Sequence, residues 1–145
     1  MSREDTPVTF DLERFLTAQQ GAYAGVVEEL RAGRKTGHWI WFIFPQVAGL
    51  GRSSVSSHYS IASLAEARAY VADPVLGARL RECAAIILAA KGPSAEGIFG
   101  SLDAMKVRSS MTLFLRAAPG EPLFQRVLDR FYAGVPDPAT DARLG

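Results

Sequence analysis

The sequence predicts an all-α fold: a single compact multihelical domain of about six to eight helices. Three observations carry it. Apolar residues recur at i, i+3, i+4 and i+7 through most of the chain. Helix start and stop signals fall at the ends of those stripes. The one run of undecided character, residues 37–46, sits among segments that read as helical. The 145 residues fit one domain, with 48% hydrophobic residues to supply its core.

Residues 1–10 are polar, with Arg3, Glu4, Asp5 and Pro7, and read as a flexible N-terminal arm without the apolar centre of a signal peptide. Residues 11–145 read as the domain. Leu12, Phe15, Leu16, Tyr23, Val26, Val27 and Leu30 form one helical stripe. Gly21 and Gly25 interrupt it, each at a cost of about 1 kcal/mol against alanine, so a bend is expected there. Gln19 is the polar residue on this stripe, and Gly33 suits the position after the helix.

Residues 37–46 (GHWIWFIFPQ) are the densest aromatic stretch. A run this short is compatible with a buried strand or a buried helix. The helical character of the rest of the chain favours a short helix. Residues 47–61, rich in Gly and Ser, read as a long loop holding one short helix. Ser63 and Glu66 make a capping box for a helix to Ala72. Pro74 suits the first turn of the next helix, whose apolar face is Leu76, Leu80, Cys83 and Ile87 and which Gly92-Pro93 ends. Residues 94–99 read as a helical turn. Ser101 is placed to cap a helix to Ala117, a further helix runs from Pro122 to Ala133, and Asp137-Pro138 opens a terminal one.

Charge and composition narrow the function. Sixteen basic against 15 acidic residues give a net charge of +1, so there is no duplex-DNA footprint and no polybasic membrane anchor. The longest apolar runs are too short for a bilayer span. One cysteine, Cys83, forms no internal disulfide, which points to a reducing, cytoplasmic location. His38 and His58 are the only histidines and come without a cysteine or carboxylate cluster, so no metal site is expected. No cofactor is implied, and the oligomeric state is left open.

Chemistry gathers in two places. In residues 103–114 (DAMKVRSSMTLF), Asp103, Lys106 and Ser110 share a helical face, with Ser109 and Thr112 near it. Hydroxyls bonding back to helix carbonyls would explain them structurally. The functional alternative is a pocket-lining face in which Lys106 binds an anion and Ser109 and Ser110 bond a sugar or phosphate. A Ser-Lys hydrolase is a further alternative, though no nucleophile elbow is present. The second place is residues 49–59, where Gly49-Leu-Gly51 with Arg52 and the following serines offers N–H groups to an anion. A turn-rich connection is the structural alternative. Trp39 and Trp41 belong to a core or to an aromatic wall. The Arg31, Arg34 and Lys35 cluster reads as a solvated helix end, and Cys83 as inert core.

Several motifs recur together: Asp11-Leu-Glu-Arg-Phe with Ala18-Gln19, Gly37-His-Trp-Ile-Trp-Phe, Phe44-Pro-Gln, Gly49-Leu-Gly, Tyr59-Ser-Ile, Ala78-Arg-Leu-Arg-Glu-Cys, Ile98-Phe-Gly, and Asp103, Lys106 and Ser109-Ser-Met-Thr-Leu-Phe. As a set they resemble a family of bacterial and fungal proteins, mycobacterial ones included, known as a domain of unknown function. The label "calpastatin" is sometimes attached to it, but the chain carries nothing of a calpain-inhibitor pattern. The resemblance covers nearly all of residues 11–145 and implies an all-helical fold without an assigned activity. More remotely, the order of features is similar to the NADAR family of helical N-glycosidases. That similarity would make Ser57-His58-Tyr59 and Lys106, Met111 and Phe114 distant counterparts, although no glutamate precedes His58.

The functional expectation is binding or processing of a phosphorylated nucleoside or an ADP-ribose-like small molecule. Trp39 or Trp41 would stack on the ring, Arg52 and Lys106 would neutralise phosphate, and Gln46, Tyr59, Ser109 and Ser110 would bond ribose or base. If an N-glycosidase-like hydrolysis occurs, Asp103 or His38 is the candidate catalytic general acid/base. The competing expectation is a non-catalytic interaction or regulatory module.

Overall fold

The computed structural model describes residues 10–92 and 94–145. The expected arm falls outside these residues except for Phe10, as does Pro93 of the expected Gly92-Pro93 stop. Among the described residues there are ten helices: α1 (Glu13–Gln19), α2 (Tyr23–Arg31), α3 (Ile40–Ile43), α4 (Ser54–His58), α5 (Leu64–Ala72), α6 (Leu76–Ala89), α7 (Ala95–Phe99), α8 (Ser101–Ala117), α9 (Pro122–Phe131) and α10 (Pro138–Leu144). No strand occurs among them, only an isolated parallel bridge between Val47 and Ile61.

The all-helical class stands, but ten helices replace the six to eight expected. The first stripe is two helices, because Gly21 takes φ +136°, which breaks the helix instead of bending it. The aromatic stretch resolves as the four-residue α3. Phe44, its C-cap, is held at φ −124°, ψ 71°, outside the α region as a residue before proline must be.

Pro74 falls in the opening turn of α6 as expected: the Asp73 carboxylate ahead of it accepts the N–H groups of Val75 at 3.0 Å and Leu76 at 2.8 Å, and Asp73 O accepts the Gly77 N–H at 2.9 Å. One start signal shifts. Gly100 (φ +79°) is the N-cap of α8, which leaves Ser101 as the first helical residue without a capping bond. At α5 the capping box forms. Ser63 Oγ accepts the Glu66 N–H at 3.1 Å, and Glu66 Oε1 accepts the N–H of Ala62 at 2.7 Å.

Helix α8 is the centre of the fold. It packs against α3, α5, α7, α9 and α10. From Ser109 to Phe114 it has six consecutive buried residues, which a surface helix with one apolar face would not show. Phe114 meets Tyr70 of α5 at 5.2 Å and Phe124 of α9 at 6.1 Å between ring centroids.

The long loop is tied down at three points. The bridge closes its base, with the Ile61 N–H donating to Gln46 O and the Ala48 N–H to Ile61 O, both at 2.8 Å. Arg14 of α1 donates to the carbonyls of His58 (2.9 Å) and Ser60 (2.8 Å) while pairing with Glu66 at 3.1 Å. Arg143 of α10 donates to Gly49 O at 3.2 Å. A Cβ on Gly51 would lie 2.2 Å from Ser56 Oγ, so the glycine is needed for the close approach of the loop to α4.

Candidate functional site

The face where α3, the 47–61 loop and α8 meet carries two adjoining recesses. Trp41, Gln46, Tyr59 and Ser57 line the narrower one, of about 20 Å³. Gln46, Leu50, Lys106, Arg108, Ser109 and Asp137 line the other, of about 290 Å³. Gln46 belongs to both. Lys106 Nζ lies 5.5 Å from the centroid of the Trp41 ring, which joins the two recesses through a cation–π contact.

Trp41, Gln46, Tyr59, Lys106 and Ser109 are therefore neighbours on one groove. Arg52 and His38 are exposed and line neither recess. Ser110 is fully buried and Ser110 Oγ has no hydrogen-bond partner among the described residues. It lines neither recess, and neither serine bonds Lys106, so the Ser-Lys pair of a hydrolase is not formed.

Asp103 is held between two cations. Its Oδ2 is 2.8 Å from Lys35 Nζ and its Oδ1 is 3.4 Å from Lys106 Nζ. Lys35 was expected at a solvated helix end. Instead its side chain is 8% exposed, donates to Gly37 O at 2.6 Å, and lies 5.2 Å from the Trp39 ring centroid. Glu29 fixes this corner. Its Oε1 accepts the N–H groups of Thr36 (2.6 Å) and Gly37 (2.8 Å) and Trp39 Nε1–H (3.1 Å). Burial works to raise the Glu29 carboxyl, but those N–H groups outweigh it and hold the group below the usual carboxylate range. Trp39 is thus core, with its indole N–H satisfied, and Trp41 is the tryptophan left facing the groove.

Asp137 closes the far wall, and sequence reasoning saw it only as a helix start. Its Oδ2 accepts from Ser109 Oγ at 2.7 Å and Thr140 Oγ1 at 2.6 Å, and Thr112 Oγ1 accepts the Asp137 N–H at 2.8 Å. Thr112 Oγ1 also donates back to Arg108 O at 2.9 Å. Burial pushes the Asp137 carboxyl upward, yet the bonds from Thr140, Ser109 and the Ala139 N–H and the nearby Arg108 charge leave it below its ordinary value. Two of the hydroxyls singled out in the sequence are consequently engaged in fastening α10 to α8. Only the three-dimensional placement of Asp137 reveals this, because Ser109 and Thr112 lie 28 and 25 residues away along the chain.

The Gly49–Ser54 segment offers no helix-dipole anion site, since α4 is five residues long and Ser53 caps it through the Ser56 N–H at 3.1 Å. Cys83 is buried, and burial pushes its thiol up to about 12. Among the described residues no group of His, Cys, Asp and Glu is arranged to hold a metal ion, and no helix is long and apolar enough to cross a membrane.

A family model described as "Protein of unknown function (DUF1810)" matches residues 9–144. The crystal structure of the conserved hypothetical protein Rv1873 from Mycobacterium tuberculosis is similar, at 50% identity over 93% of this chain and 96% of that one, with a TM-score of 0.91. No curated protein matches. The two matches bear out the resemblance to a domain-of-unknown-function family with mycobacterial members. Neither carries the remoter likeness to the NADAR N-glycosidases.

Proposed function

The chain belongs to the DUF1810 family of proteins of unknown function, and within that family we propose that it binds a small phosphorylated molecule bearing a flat ring, such as a nucleotide, in the groove beside α8. The observation that carries this reading is the placement of Lys106 Nζ 5.5 Å from the Trp41 ring, with Gln46 shared by the recesses on either side. A phosphate would take the ammonium, a ring would lie on the indole, and the Gln46 amide would bond a sugar or base edge. Arg108 lines the larger recess but spends its guanidinium on the carbonyls of Val135 and Pro136. Lys106 is therefore the phosphate ligand of this reading.

Binding is favoured over chemistry. Both oxygens of Asp103 are occupied by lysines, and His38 stands outside the groove. The solitary, buried Cys83 supports a cytoplasmic location for this activity.

A second reading has its own observation. Leu102 (74% exposed) and Met105 (68%) stand one turn apart on the rim of the larger recess. Apolar side chains so exposed at a groove suit the docking of a partner segment.

Thermal unfolding against NAD, ADP-ribose, AMP, GMP, ribose 5-phosphate and free phosphate separates the two. A ligand at a hundred times its Kd adds about 2.7 kcal/mol. That raises the midpoint by several degrees, at about 2–4 °C per kcal/mol. The expected result is a rise with a ring-bearing phosphate that disappears in Lys106→Ala. A flat response across the panel would overturn the ligand reading and leave the apolar rim as the use of this face.

A further inference from the structure

A second notch shares no residue with the groove. It lies where α1 ends, α2 begins and α6 passes, and Gln19, Gln20, Gly21, Tyr23, Ala24 and Arg79 line an open recess of about 370 Å³.

The polar groups at its base are fixed. Gln19 is 1% exposed. Gln19 Nε2 donates to Phe42 O at 2.7 Å and to the Tyr70 hydroxyl at 3.2 Å, which sets Oε1 as the acceptor. Arg79 Nη1 donates to that oxygen at 3.3 Å. The other side of the guanidinium rests 4.7 Å from the Tyr23 ring centroid. Tyr23 is itself held, because its hydroxyl donates to the Glu82 carboxylate. Burial, then the Glu82 bond, raises the Tyr23 phenol well above its usual value and keeps it neutral.

Arg79 differs from the other partly buried arginines among the described residues. Arg14 holds Glu66 and three carbonyls, Arg81 forks onto Glu121, and Arg108 holds two carbonyls. Arg79 makes one 3.3 Å bond to a neutral amide and no ion pair with a described carboxylate. A guanidinium presents five donors in a rigid fork, and here that fork is oriented in advance with most of its donors uncommitted among the described residues.

We propose that this notch is a binding site for a small-molecule carboxylate, gripped by Arg79. A carboxylate matches the fork with two parallel bonds. Its single negative charge also matches the single cation. Glu82, one helical turn from Arg79 and bonded to Tyr23, disfavours a doubly charged phosphate. Nothing in this site depends on the groove beside α8.

The test is an NMR titration of the full chain with acetate, and separately with inorganic phosphate, reading the Arg79 Nε–H and the Gln19 side-chain amide. Acetate is expected to give a saturable shift. Arg79→Lys, which keeps the charge but loses the fork, weakens it by more than tenfold. Ala24→Glu removes no contact of Arg79, places a carboxylate in the first turn of α2 where it suits the helix dipole, and abolishes the response by occupying Arg79. No saturable acetate shift in the wild type, or one unchanged in Ala24→Glu, would overturn the site. Tighter binding of phosphate than of acetate would overturn the carboxylate assignment.

Discussion

From Ser101 to Arg108, α8 keeps Leu102 and Met105 exposed and holds Lys106 at the groove, with Asp103 paired to it. From Ser110 to Phe114 the same helix is buried on all sides, and the hydroxyls of Ser109, at the edge of the recess, and of Thr112 are spent on α10 and on the helix's own carbonyls. Both halves mix polar and apolar residues at helical spacing, so sequence pattern does not separate them. Packing does. The second half is enclosed by α5, α9 and α10, and each polar atom there must find an internal partner or stay orphaned. The first half has room for its charges to meet something else.

Substitutions in the two halves should therefore differ in kind. The largest effect is expected from Phe114→Ala, which removes a ring from between Tyr70 and Phe124. A loss of about 3–5 kcal/mol should appear in urea unfolding. A loss under 1 kcal/mol would mean that the second half is not the centre of the core.

Asp137→Ala should cost about 2 kcal/mol, as the loss of a helix cap that also accepts two hydroxyls. Its pH dependence has a definite sign. A carboxyl depressed by folding stabilises the protein above its unfolded value, near ~3.9, and that stability is lost as the pH falls through the folded value. The gap between wild type and variant should be full at neutral pH and shrink below about pH 4. A gap that does not change with pH would show that the carboxylate charge is not what fastens α10.

The smallest effect should have the opposite direction. Ser110→Ala removes a buried hydroxyl without a partner and should raise stability by about 1 kcal/mol. A fall of similar size would mean that a buried water satisfies this hydroxyl, and the contrast between the halves would then be one of solvation.

The parts of the fold that were legible in the sequence are those governed by local chemistry. The Ser63–Glu66 box, Gly33 after α2, Pro122 at the start of α9 and Asp137-Pro138 at the start of α10 all act within a turn. Ser101 misled, because Gly100, with its positive φ, takes the cap position one residue earlier. In the groove, Trp41, Gln46, Tyr59 and Lys106 were singled out by residue type and do meet. Lys35 was misread, because its sequence neighbours are basic and its partner Asp103 is 68 positions away.

By itself the sequence determined that this chain is helical, that it carries its own apolar core, and which residue types are available for binding. Hydrophobic period, capping residues and composition act over a few positions and are written directly in the chain. Only the tertiary structure decided which polar side chains are spent and which are left over. Asp137 uses up Ser109, Glu29 uses up the Trp39 indole N–H, and Gln19 holds one donor of Arg79. Lys106 is left over Trp41 and the rest of the Arg79 fork is left in its notch. Hydrogen bonds and ion pairs between distant positions depend on ångström-scale separations, which residue order does not contain.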